Sequence, residues 1–245
     1  MVSQAMIIGR SHRLMQRNGQ DFAMSGAPRP GAAFGLVLDG CGGKVGKLRS
    51  QNEVGAQLLG RFAGNWLAEE LTIGNGQLSI VNVVDGLYEA CVRFLADLTG
   101  LVGFVDEVER SAFVASHLLA TMVGFVVTDE TAIFFWQGDG YLVHNGIVTE
   151  LDSANQPDYL AYRVLGGGEN GRFQTKIIPN DEKLEWLAVA TDGWQPELLA
   201  GMSEPRSSLM LQRWLNVQAR QSGAFEDDGA VAIWRRKTLD VSRIF

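Results

Sequence analysis

Three apolar runs in this chain end on Asp-Gly, and a fourth begins just after a pair of aspartates. FGLVLDG carries Asp39 and Gly40, FFWQGDG carries Asp139 and Gly140, LAVATDG carries Asp192 and Gly193, and EDDGAVAIW carries Asp227 and Asp228. A single Asp-Gly is an ordinary turn, because Asp bonds its own backbone and Gly tolerates positive φ. Asp85-Gly86 shows as much, since it falls inside a helical pattern. Several such aspartates at strand ends make a different case, because strands of one sheet share an edge where their ends converge. Carboxylates held close repel one another and lose solvation. A divalent cation offsets both, and an all-oxygen donor set favours Mg²⁺ or Mn²⁺ over zinc. Glycine beside such an aspartate lets its carbonyl approach the ion with no side chain in the way. The pattern therefore predicts a carboxylate metal site, without naming a reaction.

Other chemistries lack their residues. No Ser sits in a G-x-S-x-G elbow, and His12, His117 and His144 form no H-E-x-x-H. GCGGKVGKL resembles a phosphate loop only superficially: Cys41 stands where the first Gly belongs, and Leu48 where a hydroxyl must hold magnesium. Two cysteines, Cys41 and Cys91, make neither a disulfide framework nor a structural zinc site. The 245 residues are 46% hydrophobic and 20% charged, an ordinary globular composition. Lys and Arg total 21 against 28 Asp and Glu, a formal charge of −7, which repels a nucleic-acid backbone. Ser111–Thr128 carries no formal charge, but it reads as a helix end followed by a strand, not a membrane span. The N-terminus has no signal-peptide core, since Gly9 and Arg10 break its apolar stretch. The expectation is a cytoplasmic protein with neither nucleic-acid nor membrane partner.

Positioning the aspartates requires strands, and the pattern supplies them. Ala5–Gly9 and Phe34–Leu38 read as strands, with SGAPRPGAA as a Gly/Pro-rich turn before the second. Asn52–Leu71 reads as a helix with Val54, Leu58, Leu59, Phe62, Trp66 and Leu67 on its apolar face. Gln77–Leu98 is a second helix, and a third begins within 109–119. The period then shortens. Met122–Val127, Ile133–Trp136 and Tyr141–His144 read as strands, and Asn145-Gly146 turns the last into Ile147–Thr149. Phe173–Ile178, Leu187–Ala190 and Ala230–Trp234 are further strands, and Glu197–Gln221 is helical with a break near Pro205. Grouped helices and runs of strands predict an α+β fold, with two packed antiparallel sheets and helices outside.

Taken in order, NGQDFA, GLVLDGCGG, ATMVGFVV, QGDGYLVHNG, LAVATDG and EDDGAVAIW resemble the PPM/PP2C family of metal-dependent Ser/Thr protein phosphatases. The resemblance runs from about Gly9 to Trp234, and DGCGG with NEVGA looks like a bacterial branch. It implies a single domain over residues 1–245, folded as a four-layer α-β-β-α sandwich with a metal cleft at one edge of its sheets. It implies two or three Mg²⁺ or Mn²⁺ ions. Asp39 would bridge two of them, Gly40 would offer its carbonyl, and Asp192 and Asp227 would ligate the other. Asp21, after Gln20, would hold metal-bound water, and Asp139 matches a third, weaker metal position. The implied reaction is hydrolysis of phosphoserine or phosphothreonine in proteins by metal-bridged water, with Asp39 and Asp192 acting through it.

Departures from the family pattern are specific. Cys41 replaces a His, so it reads as a small buried residue beside the site, not as an acid. Asp228 replaces an Asn, and Gln16 stands where a phosphate-clamping Arg belongs. Arg17 or Arg13 would take its place, since guanidinium suits bidentate phosphate contact. His12 is either near the cleft or simply at a strand end, and Glu53 reads as a helix N-terminal charge. A catalytically weak regulatory or binding module on the same fold, and a phosphatase of small phosphorylated metabolites, are the alternatives.

Overall fold

The computed structural model describes residues 1–236 except 43, 46–47, 74–78, 155, 169–170, 182 and 222–223. Its strands are β1 Val2–Ile7, β2 Asp21–Arg29, β3 Ala32–Asp39, β4 Lys44–Val45, β5 Leu48–Arg49, β6 Met122–Val127, β7 Thr131–Gln137, β8 Gly140–His144, β9 Ile147–Leu151, β10 Gln174–Pro179, β11 Trp186–Ala190 and β12 Gly229–Arg235. Its helices are α1 Arg10–Leu14, α2 Asn52–Ile73, α3 Ile80–Gly100, α4 Glu107–His117, α5 Pro196–Ala200 and α6 Ser208–Gln218, with a 3-10 helix at Leu160–Leu165.

Two five-stranded sheets carry the fold, ordered β1-β12-β11-β8-β9 and β10-β7-β6-β3-β2. Every neighbouring pair in them is antiparallel. β3, β6 and β11 are apolar along almost their whole length because both of their faces are covered. Between the sheets lie Val37, Phe125, Leu142, Leu187, Val189 and Ala232. α2 and α3 bury Leu59, Leu67, Leu87 and Leu95 against the outer face of the second sheet. α5 and α6 bury Leu199, Leu211 and Leu215 against the outer face of the first. The result is an α+β sandwich of four layers, α-β-β-α.

Two sequence expectations change here. SGAPRPGAA is not mainly a turn: β2 runs on through Arg29, and the reversal shrinks to Pro30-Gly31, with Gly31 at φ +78°. β2 is an edge strand, where Pro28 forfeits no ladder bond to a second neighbour, and a register shift between Gly26 and Arg29 absorbs the irregularity. α2 presents only part of its expected face to the sheet: Leu59 and Leu67 are buried there as expected. Val54 and Leu58 are exposed, while Gly55, Ala56, Gly60, Ala63 and Gly64 are buried. The small residues let the helix sit close: Gly60 faces the Phe22 ring and Gly64 faces Met24. Phe62 leaves the sheet for α3, stacking on Phe94 with centroids 4.3 Å apart. The helical stretch expected over Glu197–Gln221 breaks near Pro205 as its sequence predicts, into α5 and α6. Helix α3 begins at Ile80, and its expected start at Gln77 lies outside the described residues. Asn145-Gly146 turns β8 into β9 with both residues at positive φ, as the dipeptide predicts.

Candidate metal centre

Register carries the aspartates to one edge of both sheets. Asp21 opens β2 directly opposite Asp39, which closes β3. In the other sheet, Ala190 pairs with Tyr141 and with Val231, so Asp192 after β11, Asp139 before β8 and Asp227 before β12 fall at one end. The two groups face each other across the sandwich. Asp21 and Asp39 share a side-chain hydrogen bond, and Asp39 feels the charges of Asp192, Asp227 and Asp139. Asp192 in turn feels Asp139 and Asp227.

The electrostatics follow. Burial, then the charge of Asp192 with those of Asp227 and Asp139, pushes the Asp39 carboxyl up to about 7. Burial and Asp39 raise Asp21 well above the ordinary carboxylate value, against a Thr191 hydrogen bond that lowers it. Asp192 is raised by burial and by Asp139 and Asp227, and the backbone amides of Asp192 and Gly193 oppose this. Among the described residues no Lys or Arg forms an ion pair with Asp21, Asp39, Asp139, Asp192 or Asp227. A cleft of mutually repelling carboxylates, none ion-paired to Lys or Arg among the described residues, suits hard divalent cations, and these donors are all oxygen.

Neighbouring hydroxyl and amide side chains hold the carboxylates and their backbone in place. Thr191, buried, donates to Asp21 Oδ2 at 2.5 Å and accepts from the Ala230 amide at 2.9 Å, which ties the two sheets together at the cleft. Thr121 Oγ1 accepts from the Asp39 amide at 3.3 Å, and Ser153 Oγ donates to Asp139 Oδ2 at 2.8 Å. Asn52, at the start of α2, donates to the Cys41 carbonyl at 2.8 Å and accepts from the Leu119 amide at 3.0 Å. Sequence reasoning missed Thr191 and Asn52. Thr191 adjoins Asp192 in ATDG, the one local signal available for it.

Two glycines owe their place to crowding. A Cβ on Gly40 would stand 2.8 Å from the Asn52 carbonyl carbon and oxygen, and one on Gly193 would stand 1.7 Å from the Asp228 carbonyl oxygen. The Gly40 amide donates to the Gln20 carbonyl at 3.1 Å, which fixes it beside Asp21.

The remaining candidates separate. His12 belongs to the cleft's support and is not a stray strand-end residue: its Nδ1 donates to Asp228 Oδ2 at 2.9 Å, with both side chains buried. Asp228 also accepts from the Gly9 amide at 2.7 Å on Oδ1 and from the Gln20 amide at 2.5 Å on Oδ2. His12, Asp227 and Asp228 bring ligand-type atoms within 4.8 Å of one another, but Asp228 already spends both oxygens on N–H donors. Cys41 is half-buried and hydrogen-bonded to the Tyr159 hydroxyl, and burial pushes its pKa up, so it remains a thiol. Arg17 is half-buried and lines a 250 Å³ cavity with Gln20, Arg49 and Glu53, whereas Arg13 is exposed on α1. Glu53 lies in the first turn of α2, as its sequence position predicts. No helix among the described residues is long and apolar enough to cross a membrane.

Known proteins show the same architecture. The serine/threonine phosphatase PstP/Ppp of Mycobacterium tuberculosis is similar with a TM-score of 0.60 and 14% identity, over 97% of this chain and 99% of that one. The serine/threonine phosphatase of S. agalactiae is similar with a TM-score of 0.58 and 16% identity, over 96% and 99%. The catalytic domain of PstP, in complex with 2 manganese ions, is similar with a TM-score of 0.60 and 14% identity, over 95% and 96%. At such identity these likenesses establish the fold. The search of curated proteins finds no match. The family model for protein phosphatase 2C matches residues 8–229, and the chain therefore belongs to the protein phosphatase 2C family.

Proposed function

We propose that this chain is a Mg²⁺- or Mn²⁺-dependent phosphoprotein phosphatase, working in the cytoplasm as one catalytic domain over residues 1–245. The observation that carries the reading is the gathering of Asp21, Asp39, Asp139, Asp192 and Asp227 without a basic partner among the described residues. Asp39, Asp192, Asp227 and the Gly40 carbonyl are the donors for two ions, with Asp21 beside them and Asp139 offering a third, weaker position. The manganese in the PstP catalytic domain supports the choice of ion. Bound divalent cations lower the pKa of water and neutralise charge on phosphate oxygens.

The chain's own side chains do the rest. Asp39 is hydrogen-bonded to Asp21 and feels the charges of Asp192, Asp227 and Asp139 from the other sheet. Thr191 holds Asp21 in orientation, and Ser153 does so for Asp139. Arg17 is the better of the two arginine candidates for substrate phosphate, since its cavity adjoins Gln20, next to Asp21, and Arg13 lies exposed. Cys41, kept as a thiol by burial, neither attacks nor carries charge.

The test is release of phosphate from an aryl phosphate and from a phosphothreonine peptide, with Mn²⁺ and with chelator, for wild type, Asp192→Asn and Cys41→Ser. Wild type turns over only with the metal. Asp192→Asn loses orders of magnitude in rate, yet melts in chelator at the same or a higher temperature, because one repulsive carboxylate is gone. A turn aspartate would show the reverse: unchanged rate and a loss of about 1 kcal/mol. Cys41→Ser keeps most of the activity. A wild-type protein with no metal-dependent hydrolysis of either substrate would instead be a regulatory module.

A further inference from the structure

Two arginines from separate elements meet at the cavity of about 250 Å³ that adjoins the carboxylate cleft through Gln20, and Ser50 and Glu53 share its wall with Arg17 and Arg49. A tight turn after α1 puts Arg17 there. Gln16 takes the left-handed conformation at φ +53°, uncommon for a residue with a side chain, and the Arg17 amide returns to the His12 carbonyl at 2.9 Å. His12 is itself fixed by Asp228. Arg49 arrives on β5, where it pairs in register with Lys44 of β4. Just beyond it, the Ser50 hydroxyl donates to the Cys41 carbonyl at 3.1 Å and the Gln51 amide donates to the Ser116 carbonyl at 2.6 Å. The backbone that carries Arg49 is thus tied to the loop following Asp39 and Gly40. Neither guanidinium has a hydrogen-bond or ion-pair partner among the described residues. Arg10, on α1, is by contrast paired with Glu226 at 3.1 Å. Glu53 is half-buried in the same wall, yet forms no ion pair with either arginine. Arg49 is exposed, but Arg17 is half-buried, and a cation that gives up hydration without a partner costs stability. Two such groups against one carboxylate leave a net positive wall open to an anion.

We propose that Arg49 is a specificity-determining residue, pairing with an acidic side chain, Asp or Glu, of the phosphoprotein substrate within about three residues of the phosphorylated one, a span of about 10 Å in extended chain. The inference rests on the phosphatase reading above, in which Arg17 takes the phosphate. Guanidinium matches a carboxylate in bidentate geometry, and two guanidinium groups on separate elements can hold two anionic groups of one peptide at once. Glu53 keeps the net charge of the wall low, so a dense polyanion gains little there.

The experiment measures binding, by fluorescence anisotropy in Mn²⁺, of labelled peptides that carry a non-hydrolysable phosphonate in place of phosphothreonine and Glu, Ala or Lys at each flanking position. At one or more positions Glu binds about 5- to 10-fold tighter than Ala, and Lys binds more weakly. Arg49→Gln erases most of that advantage by weakening the Glu peptide, Arg49→Lys keeps part of it, and Arg17→Gln weakens all three peptides alike. Equal binding of Glu and Ala peptides at every position overturns the proposal. So does a preference for Lys, an advantage that survives Arg49→Gln, or one lost in Arg17→Gln instead. An Arg49→Gln variant that weakens every peptide equally also overturns it, since Arg49 would then act on the phosphate or in the fold. Mn²⁺-dependent phosphate release from the matching phosphothreonine peptides tests the phosphatase reading separately. A Glu advantage without release keeps the role of Arg49 and rejects the enzyme, and release without a Glu advantage does the opposite.

Discussion

Asp227 and Asp228 are adjacent in sequence and opposite in circumstance. Asp227 is exposed and faces other carboxylates, whereas Asp228 is 3% exposed and accepts from three N–H donors. Its Gln20 bond reaches further, since Gln20 precedes Asp21 and its carbonyl accepts the Gly40 amide. Asp228 therefore sets the backbone that presents two of the candidate donors. The departure from the family's Asn also acquires a reason: an amide has one acceptor oxygen, and its NH₂ would be turned toward an N–H of Gly9 or Gln20. Asp228→Asn should destabilise the metal-free protein by about 2–3 kcal/mol, the scale of lost hydrogen bonds to a charged group. Urea unfolding in chelator measures this. A neutral or stabilising result, like that expected for Asp192→Asn, would mean that Asp228 belongs with the repelling carboxylates.

At the scale of elements, α2 shows how packing overrides a hydrophobic pattern. Its large apolar residues suggest one face, but a sheet carrying Phe22 and Met24 leaves room only for a smooth helix surface. Gly60 and Gly64 provide it, and Phe62 and Trp66 are left for the contact with α3. Gly86, the glycine of the uninformative Asp-Gly pair, has its own reason there, since a Cβ would come 3.1 Å from the Trp66 ring. Gly60→Ala gains helix propensity, about 1 kcal/mol. It also drives a methyl to 2.2 Å from Phe22 Cδ1, and overpacking of that kind costs about 1–3 kcal/mol. Because β2 carries both Phe22 and Asp21, the displacement reaches the cleft. Thermal melting should show a net loss of stability, and Mn²⁺ affinity by calorimetry should fall with it. A stabilised Gly60→Ala would show that α2 stands off the sheet.

Over the whole molecule, the crowded cleft makes stability depend on pH in a direction opposite to that of an ion-paired carboxylate. The folded Asp39 carboxyl sits at about 7 against an ordinary 3.8, so the fold favours its neutral form. Its contribution to stability is complete below the ordinary value and is lost as pH rises through about 7. Asp21 and Asp192 shift in the same sense. In chelator the melting temperature should fall between about pH 5 and pH 8, by about 2–4 °C for each ~1 kcal/mol at this size. Saturating Mn²⁺ should restore it at the alkaline end, since an ion bound only by the folded state stabilises by mass action. A metal-free melting temperature that climbs over the same range would remove the case for a repulsive cluster.

Most strands, and much of the chemistry at their ends, are legible in local sequence, although the first strand is Val2–Ile7 where Ala5–Gly9 is expected, and β2 is not foreseen. Alternating and continuous apolar runs, Asn145-Gly146 and the Asp-Gly pairs are local signals, written within a few residues, and they carry the α+β class and the candidate aspartates. Tertiary structure alone decided which groups meet. His12 and Asp228 are 216 residues apart, and Thr191 and Asp21 are 170 apart. No periodicity records such pairs, because a hydrogen bond across the fold leaves no trace in the neighbours of either residue. The same holds for β2 beyond Gly26, whose Pro28 reads as a turn until the strand is known to lie at a sheet edge. It holds again for Gln137, a polar residue at the end of a strand in sequence and an acceptor without a donor only once Asp158 has folded against it.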